Sequence, residues 1–336
     1  MRGRRAAAVG LLAAVALTSC FGGSNGTSLD DRARDAADRF LDRYVVDGRV
    51  VRHDQGGDTV SEGQAYAMLM AAAIGDRERF DRVWDWTAHH LRRPDGLLAW
   101  HWEDGRVVDA EPAADADLDT ARALLVAADR FDEPAYRDEA LALADAILAH
   151  ETVDSTAGPV LVAGLWARGS PNVINPSYVA PRTYAALAEA GGDERWQGLR
   201  ATGHDQVRAL TDDGLPPDWA VLEDGGPRPT GPPRSDDAPG YGFDAVRVPI
   251  RFAEDCDAHV RGVAAGLWPE LRDRDHEHPV ELVAAAAAAD AAGQADERDA
   301  LLDRAEERAE RDPTYYGAAW VALGRLMLTT DLLGGC

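Results

Sequence analysis

The chain has 336 residues and a formal net charge of -24, and all 35 of its Lys and Arg residues are arginines. That length allows one large hydrophobic core or two smaller ones. The acidic balance argues against nucleic acid, other polyanions and anionic lipid as electrostatic partners. A neutral or cationic polymer is the more natural ligand.

The first 20 residues are typical of a secretory signal, with basic "MRGRR", apolar "AAAVGLLAAVAL" and then "LTSC". The apolar part is too short for a spanning helix. The "LTSC" segment resembles the bacterial lipobox, which implies cleavage before Cys20 and lipidation of its thiol. An ordinary signal with an incidental cysteine is the alternative. We therefore expect an exported protein, either anchored by lipid on the outer side of the cell membrane or secreted.

The organisation predicted from this is a signal peptide at 1–20, a flexible tether at 21–28 and one globular domain at 29–336. In an oxidising space Cys256 and Cys336 can form a disulfide, although their spacing alone does not decide it. We expect a monomer.

The rest of the chain is a succession of helical patterns, many rich in Ala and Leu with Arg and Asp on the outside. They lie near 29–46, 61–74, 79–92, 119–131, 134–150, 176–190, 194–210, 244–256, 280–292, 296–309 and 314–328. No β-branched run shows hairpin spacing, and sustained period-two alternation is missing. The sequence predicts an all-α domain of helical hairpins.

The helix predicted at 61–74 has a carboxylate, Glu62, in its first turn. Ser61 followed three residues later by Gln64 is typical of a capping box. A first-turn acid is usually explained by the helix dipole, so the position of Glu62 alone does not show a chemical role.

A second group of carboxylates, Asp115, Asp117 and Asp119, occupies alternate positions before the next helical pattern, with Asp119 as a plausible N-cap. The D-x-D-x-D order opens an EF-hand loop, which also needs Gly at position six and Glu at position twelve. Those positions hold Thr120 and Val126, so the calcium interpretation fails.

A third carboxylate, Asp244, is predicted to start a helix on which Arg247 lies on the same face. By itself this is typical of a capping residue with a surface ion pair. The "DHEHP" segment lacks zinc-protease spacing, and the chain has no phosphate loop or dinucleotide fingerprint. We expect neither a metal nor another cofactor.

Two long connections, at 92–117 and 212–243, contain aromatic residues amid Pro and Gly. Loops this long inside a compact domain are usually functional or disordered. Trp100, Trp219 and Tyr241 could stack on sugar faces, or each could simply fix its loop to the core.

Six blocks, in order, resemble glycoside hydrolase family 8 from about residue 40 to 328. They are "VSEGQAYAM" at 60–68, "AADAD" at 113–117, "NPSYVAP" at 175–181, "PDWA" at 217–220, "YGFDAVRVPIR" at 241–251 and "YYGAAWVALG" at 315–324. The resemblance implies an (α/α)6 barrel and inverting hydrolysis of β-1,4-glycosidic bonds, with residues 29–336 as the catalytic domain.

The resemblance also implies the site residues. Glu62 matches the general acid, Asp115 the carboxylate that holds the sugar at the cleavage subsite, and Asp244 the general base. Candidates for substrate binding are Trp100, Tyr178, Trp219, Tyr241, Arg247 and Tyr316. We expect burial and the charge of nearby Asp115 to raise the pKa of Glu62, and Asp244 to stay ionised beside Arg247.

The chain departs from the family pattern at Ala65 and Ala67, which replace glycines, at Ala114 and Thr120 in the signature, and at Phe243, which replaces a tyrosine. None of these changes removes a carboxylate. The favoured activity is that of an endo-β-1,4-glucanase on a neutral β-linked polysaccharide. The alternatives are a chitosanase or xylanase of the same family, a trimming glucanase of a cellulose-synthesis system, or an inactive sugar-binding lipoprotein.

Overall fold

The computed structural model describes residues 28–336. The predicted signal peptide, Cys20 and most of the tether lie outside these residues. Within the described part of the chain, no helix has the length and apolar character needed to cross a bilayer.

Residues 28–336 contain twelve α-helices. They are α1 Leu29–Tyr44, α2 Ser61–Ile74, α3 Arg77–His90, α4 Ala114–Phe131, α5 Pro134–His150, α6 Pro181–Gly191, α7 Arg195–Thr211, α8 Arg247–Ala253, α9 Ala258–Arg272, α10 Pro279–Ala291, α11 Ala295–Arg311 and α12 Tyr315–Thr329.

The same residues contain ten short strands. They are β1 Val45–Val46, β2 Arg49–Val50, β3 Thr59–Val60, β4 His101–Glu103, β5 Arg106–Asp109, β6 Thr152–Ser155, β7 Gly158–Leu161, β8 Asn172–Ile174, β9 Trp219–Glu223 and β10 Gly226–Thr230. They pair antiparallel in four small sheets, β1-β2, β3-β4-β5, β6-β7 and β8-β9-β10.

The even-numbered helices form an inner ring. Each of them packs against the next even-numbered helix, and α12 packs back against α2, which closes the ring. Five of them are buried along most of their length, namely α2, α4, α8, α10 and α12. Odd-numbered helices such as α1, α3 and α11 bury one face and lie outside this ring, as amphipathic helices do. The domain is therefore an (α/α)6 barrel, and the predicted fold class is confirmed.

The connections differ at the two ends of the barrel. Inner helices pass to outer helices through short turns such as 75–76 and 132–133, whereas all ten strands lie in connections that lead from an outer helix to an inner one. The inner helices consequently begin at the end of the barrel that carries the small sheets. This end gathers the N-termini of α2, α4, α8 and α12.

Two expectations from the sequence were wrong. Helix α9 was not predicted, because it contains Gly262, Gly266 and Pro269, which are poor residues for a helix interior. The chain also has hairpins, β6-β7 and β9-β10, although no hairpin was predicted. Their strands are short and take their stability from packing against the barrel, so the sequence pattern is weak.

Cys256 and Cys336 are joined in a disulfide that connects the α8–α9 turn to the C-terminal residue. The sequence alone had left this pairing open.

Candidate active site

A single guanidinium lies at the centre of the carboxylate cluster. Arg247, the first residue of α8, is 1% exposed. Its Nη1 donates to Asp115 Oδ2 at 2.6 Å and lies 3.4 Å from Glu62 Oε2, while its Nη2 donates to Asp244 Oδ1 at 2.6 Å. The structure thus brings together the three carboxylates that were singled out from three distant parts of the sequence.

The helix that carries Glu62 is not held by the predicted capping box. Ser61 makes no capping hydrogen bond, and its hydroxyl has no partner within residues 28–336. The buried side chain of Gln64 instead accepts from Val50 N at 2.6 Å and donates to Gly48 O at 3.0 Å and Thr87 Oγ1 at 2.8 Å. Gln64 therefore connects α2 to β2 and α3. These hydrogen bonds fix the position of the first turn of α2, which carries Glu62.

Burial dominates the environment of Glu62. It raises the pKa of Glu62 to about 7; Arg247 opposes the rise, and the charges of Asp115 and Asp244 add to it. The predicted direction is confirmed, but burial contributes more than Asp115 does. Tyr315 Oη also donates to Glu62 Oε1 at 3.2 Å. The sequence analysis did not select Tyr315 as a site residue, although it belongs to the matched block at 315–324.

The spacing of the acids in α4 has a structural explanation. Because α4 begins at Ala114, Asp119 lies within the helix, and its predicted role as N-cap was wrong. Asp115 and Asp119 are one turn apart and share a face. Asp119 pairs with Arg251 at 2.8 Å, one turn along α8 from Arg247, and both partners are buried. Since α6 stands between α4 and α8 in the ring, these two ion pairs cross the barrel interior and support the cluster.

Asp117 has a different hydrogen-bond partner from Asp115 and Asp119. Its Oδ1 accepts from Leu98 N at 3.0 Å, and its Oδ2 has no partner in the described part of the chain. Glu151 is fully buried nearby, and neither of its carboxyl oxygens has a hydrogen-bond partner there. Burial holds the pKa values of both groups well above their usual range, and the charge of Asp117 adds to the effect on Glu151. The sequence analysis noted Asp117 among three alternating acids but gave it no role, and it did not select Glu151.

Asp244 was predicted to start a helix, but it lies in a turn that precedes α8, which begins at Arg247. Asp218 Oδ1 accepts from the backbone N–H groups of Gly242, Asp244 and Ala245 at 3.0, 3.1 and 2.7 Å. These three hydrogen bonds set the position of Asp244, and Asp218 belongs to the "PDWA" block. Burial raises the pKa of Asp244 above its ordinary value, and the charge of Arg247 opposes that rise.

Two of the predicted aromatic residues adjoin the cluster, and a third lies one ring further out. Arg247 Cζ lies 5.3 Å from the centre of the Tyr178 ring. The Trp219 ring is 6.2 Å from that of Tyr178. Tyr316 Oη donates to the carbonyl of Phe243 at 2.7 Å, beside Asp244. Phe243, which lacks the family's hydroxyl, is 59% exposed.

The other two predicted aromatic residues are placed differently. Trp100 O accepts from Ser61 N at 2.9 Å, so Trp100 adjoins the first turn of α2, and its ring stacks on His101. The Tyr241 ring lies 5.5 Å from Arg274 Cζ and packs against the core. The charges that act on the Tyr241 hydroxyl are those of Arg274, Glu281 and Asp218.

No three His, Cys, Asp or Glu side chains in residues 28–336 are arranged to hold a metal ion. The two histidines of "DHEHP" have structural partners. His276 Nε2 lies 2.8 Å from Leu271 O, and His278 caps α10.

The fold and the cluster together define a class of protein. It is a helical barrel in which two carboxyl groups, Glu62 in the first turn of α2 and Asp244 in the turn before α8, lie on opposite nitrogens of one buried guanidinium. Two carboxyl groups held in this way are typical of acid–base catalysis. The chain belongs to glycosyl hydrolases family 8, whose family model matches residues 8–261.

Individual relatives agree with this membership. The chain is 33% identical over 230 residues to a probable endoglucanase of Novacetimonas hansenii, covering 63% of this chain and 64% of that protein. It is 30% identical over 230 residues to an endoglucanase of Cellulomonas uda, covering 65% of this chain and 62% of that protein. The chain thus spans less than two thirds of the length of these curated relatives.

Among solved structures, an endo-beta-1,4-glucanase, CMCax, from Acetobacter xylinum superimposes with a TM-score of 0.75 at 26% identity. The superposition covers 89% of this chain and 98% of that one.

Proposed function

We propose that the protein is an inverting endo-β-1,4-glycanase, and that its substrate is a neutral β-1,4-glucan of the cellulose type. The observation that carries the proposal is the placement of Glu62 and Asp244 on opposite nitrogens of the Arg247 guanidinium. The endoglucanase relatives support the substrate class.

In this mechanism Glu62 is the general acid and Asp244 the general base. Burial keeps a proton on Glu62 near neutral pH, so it can protonate the leaving glycosidic oxygen. Arg247 favours the ionised form of Asp244, which takes a proton from the attacking water. The guanidinium between them keeps the two carboxyl groups apart, and an inverting pair needs about 6.5–9.5 Å to admit that water.

Asp115 has a third role in the proposal. Its Oδ1 accepts from Ala116 N at 2.9 Å and its Oδ2 from Arg247, so the carboxylate has a fixed orientation. We assign it to holding the sugar at the cleavage subsite. Tyr178 and Trp219 provide ring surface for neighbouring sugars.

We further propose that the protein is exported and held by a lipid on Cys20. The support is the signal-like segment at 1–20, and the Cys256–Cys336 disulfide fits an oxidising compartment. Replacing Cys20 with Ser should move the mature protein from the membrane fraction to the soluble fraction. Retention of the variant on membranes after a high-salt wash would contradict the lipid anchor.

A substrate panel tests the activity. Purified protein is incubated with soluble β-glucan, xylan and chitosan, and the release of reducing sugar is measured. We expect release from β-glucan above the other two. Preferential release from chitosan would favour the chitosanase alternative, which the acidic surface would suit, and no release from any polymer would leave a sugar-binding role.

Proton NMR of early products tests the stereochemistry. An inverting pair acting on a β-glucan forms the α-anomer first. A β-anomer appearing first would indicate a retaining pair and overturn the role given to Asp244.

A further inference from the structure

The side-chain oxygen of Asn175 is fixed by two donors. Asn175 precedes the 3₁₀ turn Pro176–Tyr178 and is 2% exposed. Its Oδ1 accepts from Ser177 N at 3.0 Å and from Ser177 Oγ at 2.7 Å. Because a backbone N–H can only donate, the atom facing it must be the amide oxygen, and the orientation of the amide is settled.

The turn that follows Asn175 packs beside the base. Its Tyr178 ring lies 5.3 Å from Arg247 Cζ, and Arg247 Nη2 donates to Asp244 Oδ1 at 2.6 Å. Asn175 Nδ2 makes no hydrogen bond of ordinary geometry within residues 28–336. The Asn175 side chain nevertheless lowers the pKa of Asp244 against the effect of burial. Both observations follow if the contact is long in the free protein, as catalytic hydrogen bonds often are before substrate binds.

We propose that Asn175 is a positioning residue for Asp244: its N–H group keeps that carboxylate ionised and turned toward the attacking water. The inference rests on the proposed function and extends it to a residue outside the acid–base pair. Arg247, on α8, donates to one oxygen of the carboxylate. Asn175 approaches the carboxylate from the segment after β8. Ser177 acts on Asp244 indirectly, because its N–H and its hydroxyl hold the Asn175 amide in one orientation.

Other charged and titratable groups also face Asp244 and set the background for its titration. They are Arg247 on α8, Asp218 before β9, Asp115 on α4, Glu62 on α2, Tyr178 and Tyr316. Asn175 is a neutral donor in this group, so its removal changes the titration of Asp244 without adding a charge.

The test compares four variants with the wild type by two measurements. The variants are Asn175→Ala, Asn175→Asp, Ser177→Ala and the control Asn172→Ala, whose amide donates to Gly169 O in the same segment. One measurement is the acidic limb of the kcat/KM–pH profile on β-glucan. The other is the titration of the Asp244 carboxyl ¹³C signal, which is assigned by its absence in Asp244→Asn. This measurement does not require the protein to be active.

Removing a donor from a charged group should raise the pKa of Asp244, so Asn175→Ala should move both curves to higher pH by about one pH unit. Asn175→Asp should move them further, since it brings an oxygen toward the carboxylate. Ser177→Ala should move them less, and Asn172→Ala should leave them unchanged. An unshifted Asp244 titration in folded Asn175→Ala and Ser177→Ala proteins would overturn the inference. A wild type that hydrolyses no glycan would overturn the proposed function, and the ¹³C titration would still decide the role of Asn175.

Discussion

Glu62 is subject to two opposing influences at the level of the single residue. The first turn of a helix favours an ionised carboxylate, whereas a general acid must keep its proton. The structure resolves the conflict by burial, although 24% of the side chain stays accessible to solvent. The residue can therefore meet a substrate while its pKa remains near neutrality.

Replacing Glu62 with Gln tests this role directly. The amide has nearly the same shape but cannot protonate the leaving oxygen, so turnover should fall by at least about a hundredfold. Reducing-sugar assays on β-glucan measure it, and circular dichroism checks the fold. The control is Glu78→Gln, a side chain 81% exposed on α3, which should keep full activity. Wild-type turnover in Glu62→Gln would remove Glu62 from the mechanism.

The pKa of Glu62 also predicts the alkaline limb of the pH profile. With a pKa of about 7, Glu62 loses its proton as the pH rises through that value, and kcat/KM should fall accordingly. The profile of kcat/KM from pH 4 to 10 measures this. A rate that stays constant above pH 8 would show that another group donates the proton.

Residue roles differ in how far the sequence could have revealed them. The three carboxylates belong to short blocks with a family resemblance, so they could be selected. Glu151 could not, because nothing local distinguishes a buried, unpaired Glu after a helix from the many exposed acids of this chain. Asn175 belongs to a matched block, but the direction of its amide depends on Ser177 and on Asp244, 69 positions away in the chain.

At the scale of elements, the side chain of Gln64 connects three segments through buried hydrogen bonds. Gln64→Ala should leave Val50 N and Gly48 O unpaired and lower the free energy of unfolding by about 1–3 kcal/mol. Urea titration measures the loss. Gln294→Ala, at an exposed position before α11, is the matched control and should change stability little. Equal stability of the two variants would show that the hydrogen bonds of Gln64 contribute nothing to the free energy of unfolding.

Helix existence followed from periodicity, whereas helix ends and strands depended on tertiary contacts. Helix α2 began where predicted, yet its supposed capping residues serve other purposes. In α4 the predicted start was five residues late, since the acids before Asp119 were taken for a loop. Asp115 and Asp119 are tolerated inside the helix because Arg247 and Arg251 reach them from α8. No local sequence pattern encodes a partner so far along the chain.

At the scale of the whole molecule, buried acids link stability to pH. Burial raises the pKa of Glu151 in the folded state, so this group holds its proton more tightly there than in the unfolded chain, where its pKa is about 4.3. Its contribution to stability is present at low pH and is lost as the pH rises through the folded-state pKa. Glu151→Gln removes this titration. Thermal unfolding from pH 5 to 9 should show a flatter decline for the variant and a higher melting temperature at the alkaline end.

The exposed Glu270→Gln is the control for that series and should follow the wild-type curve. Parallel curves for Glu151→Gln and wild type would mean that Glu151 is ionised in the folded protein.

The closure of the helical ring bears on biosynthesis. Helix α12 covers α1 and α2, its Tyr315 N–H is bonded to Asp54, and the hydroxyl of the same residue reaches Glu62. A growing chain that ends at α10 therefore lacks both the apolar contacts that α12 makes and the Tyr315 side chain beside Glu62. Assembly should be a late event that follows release of the α12 segment. Until then the chain exposes the apolar surface of α2, and transient exposure of such a surface favours aggregation.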